Sequence, residues 1–107
     1  MKYFCTLDQL PAGNSRCFFD FEATVKHFGS VDLSLYRPAD IGTVEADRPT
    51  EACEKLFGLY NADYRPNGYT GRSMSVGDVV RLWDADDANA ACTAWFCDSF
   101  GFKKLEV

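Results

Sequence analysis

The spacing of apolar positions changes several times along this chain, and each change predicts an element. KYFCTL (2–7) is rich in strand formers and sets Tyr3, Cys5 and Leu7 on one face. After the loop LPAGNSR, Phe18, Phe21, Val25 and Phe28 recur at three- and four-residue steps, with Asp20, Glu22 and Lys26 opposite. That spacing predicts an amphipathic helix ended by Gly29. VDLSLYR (31–37) alternates Val31, Leu33 and Leu35 on one face, predicting an extended, half-buried segment that stops at Pro38. A second short extended piece runs through Ile41 and Val44. In TEACEKLFGLYNA (50–62), Thr50 caps a helix, Glu51 pairs with Lys55 one turn on, and Cys53, Leu56, Phe57 and Tyr60 form the buried stripe. Asn61 is the expected terminator.

The remaining pattern is dense. NGYTGRSMSVGDVVRLWD (67–84) gathers glycines, serines and an aspartate before turning apolar. Gly77 supplies the positive φ of a turn, Asp78 bonds to neighbouring amides, and VVRLWD (79–84) is a strand. Ser73 and Ser75 tie down the loop in the same manner. ADDANA follows as a polar turn, then CTAWFCDSFGF (92–102) as a longer strand forming a hairpin with the first. Gly101 inside it marks a bulge. KKLEV closes as an edge strand blunted by lysines. The order predicts one α+β domain over 1–107, a small and mainly antiparallel sheet with two helices packed on one face.

Composition narrows the function more than the fold. Nine phenylalanines and five tyrosines in 107 residues serve a core and an interface equally well. No apolar run is long enough to span a bilayer, and the N-terminal stretch lacks the form of a secretion signal, so a cytoplasmic protein without membrane contact is expected. The cysteines, at 5, 17, 53, 92 and 97, are odd in number and form no framework, which predicts reduced thiols. A net charge of −5 gives no global field for a phosphate backbone.

Each attractive chemistry lacks a part. The glycine-rich stretch has neither GK[ST] nor G-x-G-x-x-G and leads into a strand, so no phosphate cradle is predicted. His27 is the sole histidine, and no spacing brings a cysteine to it as nucleophile. Cys92 and Cys97 stand at an odd offset on a predicted strand, pointing to opposite faces, and no second ligand pair accompanies them. Neither a cofactor nor a metal is expected. Asp78 and Asp98 are the one pair of acids that the hairpin could bring together; Asp84, Asp86 and Asp87 read as a solvated turn. Asp98 and Ser99, polar amid aromatics, need partners, which Ser73 or Ser75 across the hairpin base would supply.

GRSMSVGDVVRL (71–82) followed by WFCDSFGFKKL (95–105) resembles the YodL-like domain family, whose pattern is G-x-S-L-S-V-x-D-V-V, a variable turn, and Y-x-V-D-S-F-G-F-K. Met74 replaces the usual leucine and Cys97 a small β-branched residue. The resemblance implies a protein of plasmids, conjugative elements or phages, and it carries over no catalytic set. The expected function is a non-enzymatic interaction protein that binds and inhibits a host, element or defence protein such as a CRISPR or restriction nuclease. Tyr69, Arg72, Trp83 and Trp95 are the expected anchors. One alternative is a nucleic-acid-binding accessory module, with Arg65, Arg72, Arg81, Lys103 and Lys104 on one face and Tyr64 and Tyr69 stacking on bases. The other is a small hydrolase or transferase with Asp78, Asp98 and a serine in one cleft. An exposed sheet edge would also admit a homodimer.

Overall fold

The computed structural model describes residues 1–61, 73–87, 89 and 91–106. Five strands form one antiparallel sheet: β1 (Lys2–Gln9), β2 (Arg37–Glu45), β3 (Val79–Asp84), β4 (Thr93–Cys97) and β5 (Phe102–Leu105). Their spatial order is β2-β1-β3-β4-β5, so the first strand lies inside the sheet. Two helices, α1 (Phe21–Phe28) and α2 (Pro49–Tyr60), complete the α+β fold expected from the sequence. None of the described helices is long and apolar enough to cross a membrane.

Consecutive side chains of a strand point to opposite faces, and here both faces carry a core. On one face Val80, Leu82 and Cys97 join Tyr3, Cys5 and Leu7 beneath Ala52, Cys53, Leu56 and Tyr60 of α2. On the other, Val79, Ala94, Phe96 and Leu105 pack with Leu10 and Tyr36, against which Phe21 of α1 and Leu33 rest. The two helices therefore cover opposite faces rather than sharing one. The cause is local: VV in β3 and AWFC in β4 are apolar at successive positions, and such strands need cover on both sides. The second cover is partial. Phe4 on β1 is 53% exposed beside its cross-strand partner Trp83.

Local details depart from the periodic reading where backbone chemistry decides. Asp20 caps α1, accepting from the Ala23 amide at 2.8 Å, and Gly29 ends it at φ +86°. Phe18 lies outside the helix at φ +66° and is 64% exposed, and Val25 is also exposed, so the buried side of α1 is set by Phe21 and Thr24 instead. Helix α2 begins two residues earlier than expected. Pro49 occupies the first turn, where its missing N–H costs nothing, and Arg48, not Thr50, is the cap residue. Glu51 and Lys55 do pair, at 3.5 Å, and Asn61 follows as the end residue.

Leu33–Leu35 is a single 3₁₀ turn, not an extended segment; the Asp32 carboxylate holds the Ser34 amide at 3.0 Å and the chain bends there. Strand β2 then starts at Arg37 and runs through Pro38. This is tolerated because β2 is an edge strand with no neighbour beyond it. Its register slips between Cys5 and Thr6, which pair with Gly42 and Asp40 and leave Ile41 as the extra residue of a bulge. The bulge turns Ile41 into the α2 core, where its carbonyl accepts from the Tyr60 hydroxyl at 3.3 Å.

All five cysteines are free thiols. Burial pushes Cys5 up to about 11 and Cys53 and Cys97 up to about 12, and it raises the Tyr36 phenol to about 12. These groups bind protons more tightly folded than unfolded, so their contribution to stability is complete below pH 9 and is lost as pH rises towards 12. The unfolding midpoint in urea should therefore fall steadily above pH 9. In the native protein at pH 8, a thiol reagent should leave Cys5, Cys53 and Cys97 unmodified and react first at the half-buried Cys17 and Cys92. Rapid modification of all five would contradict this.

Candidate functional site

The described residues of the two motifs converge on one end of the sheet. Ser75 to Asp78 form a tight turn in which the Asp78 amide donates to the Ser75 carbonyl at 3.0 Å. Gly77 stands in its third position at φ +96°. A side chain there would be strained twice over, since a Cβ would also lie 3.3 Å from the Phe19 carbonyl oxygen. The Asp78 carboxylate is 2% exposed and folds back on the turn, accepting from the Ser75 amide at 2.9 Å and from Gln9 Nε2 at 3.0 Å. Gln9 Nε2 also donates to the Ser73 carbonyl at 3.2 Å. The Tyr36 hydroxyl closes the cluster with a 2.6 Å bond to the Gly77 carbonyl. The sequence reading of this corner as a turn that starts a strand is the geometry found.

The second motif is built otherwise than expected. β4 ends at Cys97, and residues 98–101 make a turn, bridged by the Asp98 amide donating to the Gly101 carbonyl at 3.0 Å. Gly101, at φ +75°, serves this turn rather than a strand bulge. Asp98 Oδ1 accepts from the Phe21 amide at 3.1 Å and from the Ser99 amide at 2.9 Å, while Ser99 Oγ donates to Asp20 Oδ2 at 3.1 Å. The polar pair thus finds its partners at the start of α1, not at Ser73 or Ser75. A carboxylate there satisfies amides that the helix cannot. The consequence is a rigid turn with an apolar tip: Phe100 is 98% exposed. A groove of about 470 Å³ lies alongside, lined by Glu54, Phe57, Cys97, Asp98, Ser99 and Phe102.

Phe100 was not among the expected anchors. Its signal was available, because Asp at the first and Gly at the fourth position of D-S-F-G is a turn signature that leaves the phenylalanine at the tip. Of the expected anchors, Trp83 and Trp95 are among the described residues. Tyr69 and Arg72 lie outside the described residues, as do Tyr64 and Arg65. Trp83 and Trp95 fall on opposite faces of the sheet. Trp95 packs against the α2 core and donates from Nε1 to Thr93 Oγ1 at 2.9 Å, whereas Trp83 lies across from Phe4. Arg81, counted for nucleic acid, sits with Nε 2.6 Å from Asp8 Oδ2, and that aspartate is fully buried. The Thr6 hydroxyl donates to the other oxygen of Asp8 at 2.7 Å.

The two motifs are joined backbone to backbone. The Gly77 amide donates to the Cys97 carbonyl at 2.9 Å and the Cys97 amide to the Asp78 carbonyl at 2.8 Å. A family model described as the YodL-like domain matches residues 5–107. The chain belongs to the YodL-like domain family. The motif pairing that distinguishes this YodL-like domain is therefore a structural joint, in which the S-x-G-D turn, the D-S-F-G turn and the start of α1 brace one another. No curated protein and no solved structure matches the chain.

Among the described residues, the groove beside the second turn includes Asp98 and Ser99 but not Asp78. His27 stacks among aromatic rings, 5.6 Å from Phe19 and 6.4 Å from Phe28 between centroids. Among the described residues, no three His, Cys, Asp or Glu side chains group as metal ligands.

Proposed function

We propose that this YodL-like domain is a non-enzymatic docking protein of a mobile element or phage. It acts in the cytoplasm by binding, and thereby inhibiting, a host or defence protein such as a CRISPR or restriction nuclease. The observation that carries the reading is Phe100, held 98% exposed at the tip of a turn that Asp98 and Ser99 lock to α1. A large apolar side chain in water gains nothing for folding, whereas on a rigid support it can enter a partner's pocket with little loss of conformational freedom. The net charge of −5 suits a basic partner surface of the kind nucleases use for nucleic acid.

Purified CRISPR and restriction nucleases, titrated against the immobilised protein, test this. A Phe100→Ala variant should melt at the wild-type temperature, yet bind the captured nuclease at least about tenfold more weakly, the loss typical of a buried interface aromatic. No complex with any such protein, or a Phe100→Ala variant that binds as the wild type does, would remove the proposal.

A further inference from the structure

We infer that the outer edge of β5, which no described strand pairs, with the groove between it and α1, is a strand-addition site for an extended peptide carrying alternate apolar and acidic residues. The backbone supplies the first argument. Cys97 bonds through its amide to Asp78 and through its carbonyl to Gly77, on the β3 side of β4. Backbone direction alternates along a strand, so Ala94 and Phe96 face β5, and their register partners Leu105 and Lys103 face β4. Phe102 and Lys104 are left with N–H and C=O groups pointing off the edge, where an incoming strand would meet them.

The groove supplies the second. A cavity of about 410 Å³ runs beside this edge, walled by Phe21, Val25, Val31, Leu33 and Leu105. Lys103 Nζ stands 4.8 Å from the centre of the Phe21 ring at its mouth. A strand added to β5 would turn every second side chain into this apolar cleft, and the others towards the Lys104 side.

Charge selects the occupant. Lys103 and Lys104 are adjacent and exposed on an otherwise acidic protein, with Glu106 alone opposing them along the groove. Two copies of this chain joined antiparallel at the edge would have to pair their outward residues. A register centred on Lys103 or on Lys104 sets that lysine directly opposite its own copy, and like charges at that position repel. Carboxylates on the outward-facing side chains of an incoming peptide meet Lys104 favourably. The inference rests on the reading of the protein as a docking module but not on Phe100.

A fluorescently labelled Val-Glu-Val-Glu-Val-Glu-Val peptide, with a Val-Lys counterpart, provides the test by anisotropy against the full chain. Saturable binding of the acidic peptide alone is expected, weakening as salt is raised. Lys104→Glu should reduce affinity at least about tenfold by charge. Lys104→Pro should fall a further tenfold or so below Lys104→Ala, because proline removes the outward N–H. The β4–β5 ladder does not use that N–H, and matching melting curves for the three variants verify the fold. Phe100→Ala should bind the peptide as the wild type does. Absence of binding, or equal binding by the Ala and Pro variants, would overturn the assignment. So would a concentration-dependent dimer that Lys104→Pro dissolves. If the peptide fails while a nuclease is still captured through Phe100, only the edge assignment falls; if the peptide binds and no nuclease does, only the functional proposal falls.

Discussion

Arg81→Met is expected to lower stability by about 3–5 kcal/mol, the largest effect of any single exposed-to-core change in this protein. The substitution leaves the Asp8 carboxylate, fully buried on β1, with the Thr6 hydroxyl as a neutral partner and no other ion-pair partner among the described residues. An uncompensated charge out of water is far costlier than the pair is beneficial. For that reason the double variant Asp8→Val with Arg81→Met should recover most of the loss. Urea unfolding of the three proteins measures both differences. A domain of this size is stable by about 5–15 kcal/mol, so the single variant should lie close to unfolding at room temperature. A loss below about 1 kcal/mol for Arg81→Met would show that Asp8 finds water or another donor.

Asp78→Ala comes second, at about 3 kcal/mol. The carboxylate is 2% exposed and accepts from the Ser75 amide and from Gln9 Nε2, and both bonds are lost with it. A hydrogen bond to a charged group contributes about 1.5–3 kcal/mol. Asp78→Asn keeps an acceptor oxygen and should lose less than half as much. Amide exchange distinguishes this loss from a general one: the Ser75, Gly77 and Cys97 amides should exchange faster in the variant well below the global transition. Equal protection in wild type and variant would show that the turn holds without its carboxylate.

These two sites differ in how visible they are in the sequence. The S-V-G-D corner is a local device, and its glycine and aspartate announce a turn and a self-bonded side chain at a spacing of one. The strand VVRLWD, the helix ended by Gly29 and the stripe Cys53, Leu56, Tyr60 are local in the same sense and are found in place, whereas Phe57, expected in that stripe, is 39% exposed. The Asp8–Arg81 pair is not local. It depends on β1 lying beside β3 in a register that sets Thr6 opposite Arg81, and neither residue type signals burial on its own. The split of the helices between faces was written in VV and AWFC, where alternation fails, but periodicity alone reads such runs as ambiguous. The D-S-F-G turn was hidden by its flanks, since strand formers on both sides made eleven residues look continuous. Asp98 could be seen to need partners, but its choice of the Phe21 amide follows from where α1 packs, which is a tertiary fact.

The interior position of β1 has a consequence for biosynthesis. Its pairing with β2 can form once residues up to Glu45 are available, but its other edge is closed only by Val79 to Asp84. During translation the β1–β2 ribbon must leave the ribosome with one side unsatisfied and with Tyr3, Cys5 and Leu7 uncovered until α2 follows. Such a ribbon is a template for wrong pairing between nascent chains. Expression yield should consequently depend on temperature and on chaperone supply more than the final stability of the protein would suggest.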